Sequence, residues 1–150
     1  MILPLGFALT LASGIAPATA RWAQNQERRI LKEGIPLAAE GLAIAAELKI
    51  ERPEEVRVLE VKPIPLPLPR PLVKLAARWG FPIFEPGGMA LGKGIYILKG
   101  NTHVLRHELV HVAQYQQMGG IGPFMHRYLV ECLVHGYADA PLEVEARGKE

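Results

Sequence analysis

Proline occupies every second position from residue 63 to residue 71, in the run "PIPLPLPRP". Each ring pushes the residue before it out of the helical region, so this spacing forbids a helix and predicts an extended, polyproline-like path. A stiff connector across the surface is the expected role in an otherwise compact chain; a ligand for a proline-binding partner module is the alternative. Before this connector, "RWAQNQERRILKEGIPLAAEGLAIAAELKI" predicts two helices, the first basic and polar, the second starting after Gly34 and Pro36 and rich in alanine and leucine. The β-branched "VRVLEV" at 56–61 predicts a short strand. After the connector, "LVKLAARWG" predicts a short helix stopped by Gly80, with Trp79 as a core or interface anchor, and "FEPGG" predicts a turn. "MALGKGIYILKG" then reads as a strand or hairpin whose continuous part is Ile95 to Leu98. Its "GKG" is no phosphate loop, because a strand follows where a Walker loop needs Lys-Ser/Thr and a helix.

Length and composition bound the class of protein. A chain of 150 residues, 49% hydrophobic and 21% charged, can bury one genuine core and is too short for two. The net charge of +2, without clustered Lys and Arg, argues against nucleic acid as a partner. Cys132 is the single cysteine, so no internal disulfide can form and no cysteine-rich zinc site exists. Any zinc must be held by histidine and carboxylate.

The first twenty residues, "MILPLGFALTLASGIAPATA", carry no charge and close on Ala18, Thr19 and Ala20, an A-x-A pattern directly before Arg21. Three readings follow. The pattern resembles a secretory signal peptide, implying export to the periplasm or beyond, although the basic n-region is missing. The length nearly suffices for a membrane anchor, which Pro4 and Pro17 weaken. The third reading is an apolar helix packed on a domain that stays in the cytoplasm.

The segment "NTHVLRHELVHVAQYQQMGG" (101–120) holds the chemistry. Asn101 or Thr102 can cap a helix that runs to Gly119 and Gly120. His107 and His111 then lie one turn apart, about 40° out of line, so both imidazoles reach one point beside the same face. Glu108, rotated by about 100°, is free to act on a water at that point as a general base. Leu109 and Val110 point to the core, and His103, a turn earlier, is expected at the surface. H-E-x-x-H on a helix is the pattern of two zinc ligands with a catalytic glutamate between them.

A catalytic zinc takes three protein ligands and keeps a fourth position open. The metzincin arrangement is excluded, since Gln114 and Gln117 stand where it needs glycine and histidine. Glu131 and Glu143 remain. Glu131, in the helix predicted for "PFMHRYLVECLVHGY", lies twenty residues past His111, as in thermolysin-like enzymes, but Val130 and His135 replace the asparagine and aspartate of that pattern. Glu143 falls in the first turn of a helix opened by Pro141. Its E-x-x-A-R pattern resembles the E-x-x-A-D ligand helix of several gluzincin families, with Arg147 at the aspartate position. Glu143 is favoured, with Glu131 as its competitor; Glu145, two residues on, is expected to face the other way.

Together, "HELVHVAQYQQMGG", "PFMHRYLVECLVHGY" and "APLEVEA" resemble the small bacterial zincin-like domains related to the DUF4157 family, whose pattern is HE-x-x-H-x-x-Q, a hydrophobic helix and an E-x-E-A segment. The likeness covers the last third of the chain closely and "GIYILKG" more loosely. It implies a gluzincin-like Zn2+ site with His107, His111 and Glu143 as ligands and Glu108 as the base, in a group mostly described as peptidases.

Two functions from different classes are thereby open. One is a zinc metallopeptidase acting on a peptide or protein substrate, with the strand around Ile95 to Leu98 as a docking edge and Tyr137, His135 or Tyr128 stabilising the transition state. The other is an inactive zinc-binding structural or interaction module, in which a short last helix leaves little protein to wall a cleft. The expected fold is α+β, mostly helical, with a small sheet beside the HELVH helix.

Overall fold

Alanines at 8, 12, 16, 20 and 23 fall three or four residues apart, which places them along one side of a helix and lets a neighbour approach closely. The computed structural model, which describes residues 2–78 and 86–150, uses them in that way. The apolar N-terminal segment and the basic segment after it form one continuous helix, α1 (Leu5–Glu33), where the sequence suggested a break at residue 21. All five alanines are buried. The first half of α1 packs on the helix α5 (Ile121–His135), where Ala8, Ala12 and Leu133 share a small apolar cluster. The second half lies on the sheet. No described helix is long and apolar enough to cross a membrane.

The fold is α+β and mostly helical, around one four-stranded mixed sheet. Its strands are β1 (Ile35–Pro36), β2 (Arg57–Val61), β3 (Gly88–Leu91) and β4 (Gly94–Leu98), in the order β1-β2-β4-β3. β2 and β4 run parallel, and the outer pairs are antiparallel. The remaining helices are α2 (Ala39–Glu47), α3 (Arg70–Ala77), α4 (Leu105–Met118) and α6 (Pro141–Gly148). Tyr96, Ile95 and Leu91 of the hairpin meet Leu109 and Val112 of α4 in the main core.

The structure corrects three local expectations. β4 is an interior strand, flanked by β2 and β3, so Ile95 to Leu98 cannot offer a docking edge. Two residues, Gly92 and Lys93, turn the chain back and lay β3 on the outside; Gly92 takes a φ of 64° that suits glycine. No side chain caps the HELVH helix: a 3-10 turn, Thr102–Val104, leads into Leu105, and Asn101 packs instead against Gly87. The helix-free proline run ends at Pro69, since Pro71 stands in the first turn of α3, where its missing N–H removes no helical bond. Trp79, Gly80 and most of the FEPGG segment lie outside the described residues.

Because Leu133 is fully buried under α1, a chain starting at Arg21 is expected to lose about 2 kcal/mol or more of stability, the worth of that burial alone. Urea denaturation of the two chains measures it; coincident midpoints would show that residues 2–20 are not part of the cooperative fold.

Candidate metal centre

Helix geometry brings the two imidazoles together, and tertiary packing brings the carboxylate. His107 Nε2 and His111 Nε2 lie 3.1 Å apart. Glu143, in the first turn of α6, places Oε2 3.3 Å from His107 Nε2 and Oε1 3.4 Å from His111 Nε2. Among the described residues this is the group that could hold a metal ion. A tetrahedral zinc with bonds of about 2.0–2.1 Å separates its ligands by about 3.3–3.4 Å, and each imidazole nitrogen stands at about that distance from one oxygen of Glu143, a different oxygen for each.

Charge and lone pairs fit it as well. His107 Nδ1 is 2.7 Å from a carboxylate oxygen of Glu150, which can only accept, so the ring donates there and its Nε2 faces inward with a lone pair when neutral. His111 Nδ1 is engaged in the same way by Gln114 Oε1 at 2.8 Å. Tyr128 donates to Glu143 Oε1 at 2.8 Å, while Oε2 is the buried side-chain atom left without a hydrogen bond among the described residues. Two nitrogens and a carboxylate thus point their electrons at one another, an arrangement that asks for a cation.

The titration directions express the same demand. The Glu143 carboxylate beside His107 holds that imidazole up, at about 9, against the opposing effect of burial. At His111 burial opposes the charge, but Glu143 and Glu108 outweigh it and the pKa is raised. Burial would lift Glu143; the two histidines and Tyr128 reverse this and hold it well below the usual carboxylate range. Cys132 is pushed up to about 12 by burial and then by Glu143, so it remains a thiol and offers no competing thiolate.

Glu108 stands apart from this group. It is buried beside β3, where a Cβ on Gly88 would come within 2.7 Å of its Oε1, so the glycine makes room for the carboxylate. Burial raises its pKa, with His111 and His107 pulling the other way and the Ala90 N–H adding a hydrogen bond. Tyr115 donates to the Ala90 carbonyl at 3.1 Å, which docks α4 on the outer edge of the sheet. Leu98 N donates to Gly87 O, so by the antiparallel alternation the backbone groups of Gly88 and Ala90 face outward. Those of Ala90 are taken by α4.

The other sequence candidates fall in different places. Glu131 is buried, but its oxygens accept from Arg127 Nε at 2.7 Å and from Leu142 N at 2.8 Å. It therefore satisfies a free N–H in the first turn of α6, serving as a cap for the helix that carries Glu143. Tyr128 supports Glu143, and Tyr137 lies close enough for burial and Glu143 to push its phenol up. His135 is exposed in the last turn of α5, with no hydrogen bond to the cluster among the described residues. His103 is exposed. Glu145 does not face away from α4: it accepts from Gln114 Nε2 at 2.8 Å. Arg147 donates to the Ala138 carbonyl. The sequence reading missed the roles of Gln114 and Glu150; only the glutamine of the HE-x-x-H-x-x-Q pattern hinted at the first. No family model, curated protein or solved structure matches this chain.

Two outcomes are expected. Glu143→Ala should weaken zinc binding more than about a hundredfold, beyond the cost of losing an orienting partner, while Glu131→Gln keeps an acceptor for Leu142 N and binds nearly as wild type; competition with a chelating dye measures both. Since the His107 proton must leave for a metal to enter, zinc affinity should rise with pH up to about 9 and level off above it.

Proposed function

We propose that this protein is a zinc-dependent hydrolase of the metallopeptidase type, acting on peptide bonds. The observation that carries the reading is the division of labour in one helix: His107 and His111 meet Glu143 at ligand spacing, while the buried Glu108 between them is left out of the group. Zinc held by these three residues would polarise a carbonyl and lower the pKa of a water toward about 7.

The chain's own residues supply the rest. Glu108, with its pKa raised by burial, is suited to take the proton of the attacking water and hand it to the leaving nitrogen. The carbon–oxygen bond forms first; the carbon–nitrogen bond breaks once the nitrogen has received the proton from Glu108, releasing a free amine and a carboxyl group. Tyr128 keeps Glu143 oriented, and Tyr137 lies beside the same carboxylate. Gly88, on the outer edge of β3, offers the outward N–H and carbonyl that an extended peptide can pair with.

A purely structural zinc site is the competing reading. Such sites close with four protein ligands. The described residues bring three to the group, and a buried, unliganded carboxylate beside it has no structural use.

Glu108→Gln keeps the shape and removes the proton acceptor, so it should retain zinc and lose activity by about a hundred- to ten-thousand-fold. The assay is chelator-sensitive cleavage of a mixed peptide library, read by mass spectrometry. Unchanged cleavage by this variant would remove Glu108 from the mechanism; no cleavage by zinc-loaded wild type would favour the structural reading.

A further inference from the structure

Gln114 is 1% exposed, yet both its amide oxygen and its amide nitrogen are hydrogen-bonded. Its Nε2 donates to the Leu142 carbonyl at 3.0 Å and to Glu145 Oε2 at 2.8 Å, and its Oε1 lies 2.8 Å from His111 Nδ1. A backbone carbonyl and a carboxylate can only accept, so the amide nitrogen must face α6 and the amide oxygen must face His111. The oxygen in turn requires a proton on His111 Nδ1. That leaves His111 Nε2 with its lone pair toward His107 and Glu143.

We propose that Gln114 is a positioning residue for the metal centre, fixing in one side chain both the ligating nitrogen of His111 and the seat of the helix that carries Glu143. This rests on the metal reading above. The residue type follows from the two duties. A glutamate could accept from His111 but would set a carboxylate against Glu145 and the Leu142 carbonyl. A lysine could hold α6 but could not accept from the imidazole. Asparagine has the right groups on a stem too short to span α4 and α6. Leu142, whose carbonyl is held, is also the residue whose N–H Glu131 accepts, and Glu143 follows it directly. The two peptide units flanking Leu142 are therefore held from different helices, the one after it from α4 and the one before it from α5.

Inverting the polarity of the side chain tests this role. In Gln114→Glu the acceptor for His111 survives but the grip on α6 does not, and zinc affinity should fall about 10- to 100-fold, the usual cost of losing a ligand-orienting partner. Adding Glu145→Gln supplies an amide donor opposite the new carboxylate but none to the Leu142 carbonyl, so the double variant should recover part of that loss, while Glu145→Gln alone changes affinity less. Gln114→Ala should lose affinity without recovery by Glu145→Gln. A purely structural role would not move the second readout: in zinc-loaded protein labelled with nitrogen-15, the His111 Nδ1–H proton should exchange slowly in wild type and Gln114→Glu and rapidly in Gln114→Ala. Should both single variants fail to fold, the folded double variant decides by its zinc affinity.

Zinc uptake by wild type and by all Gln114 variants alike, with an unchanged His111 proton, would overturn this role and leave the metal reading intact. Failure of the double variant to recover would likewise overturn it. Failure of wild type to bind zinc would overturn the metal reading itself, and this role with it.

Discussion

Two imidazole nitrogens 3.1 Å apart, each within 3.4 Å of a different oxygen of one carboxylate, crowd their lone pairs together unless positive charge lies between them. The rest of the structure can be understood as what keeps them there. α4 supplies the nitrogens through its own periodicity, and Leu109 and Val112 anchor it in the core while Tyr115 ties it to Ala90. α6 is only eight residues long and has little hold of its own, so its position depends on groups from its neighbours. Gln114 holds the Leu142 carbonyl, Glu131 holds the Leu142 N–H, and Tyr128 holds Glu143 itself.

This arrangement divides three buried carboxylates by task. Glu143 has one oxygen on Tyr128 and one directed at His107; Glu131 is saturated by Arg127 and a backbone N–H; Glu108 is set against glycine and a strand edge. Their environments push the pKa of Glu108 up and that of Glu143 down, the separation that the proposed roles of proton acceptor and ligand call for. The aromatic wall behind His111 excludes water from the same side: Tyr115 stacks on Phe124 at 3.7 Å between ring centres, and Phe124 meets Tyr128 at 5.6 Å.

Much of this was legible in the sequence because it is local. The pairing of His107 with His111, the inward Leu109 and Val110, the stop at Gly119 and the start of the last helix at Pro141 follow from a 3.6-residue period and from glycine and proline chemistry. What depends on distant partners was not legible. The alanines of α1 read equally as an export signal, because only their contact with α5 shows what their small size is for. The strand Ile95 to Leu98 read as an edge because the crossover that lays β2 beside it spans residues far apart in sequence. Gln114 entered only as a pattern position, the glutamine of HE-x-x-H-x-x-Q and the absence of a metzincin glycine, since its three partners come from two helices. Glu131 and Glu143 were both plausible ligands until packing gave one of them a backbone N–H to satisfy.

The central claim is that two histidines and a carboxylate of this chain hold zinc, and X-ray absorption at the zinc edge of the loaded protein tests it most directly. The account predicts two imidazole nitrogens and the remainder oxygen at about 2.0–2.2 Å, with no sulfur near 2.3 Å. A sulfur scatterer, fewer than two imidazoles, or zinc that washes away on dialysis would contradict it.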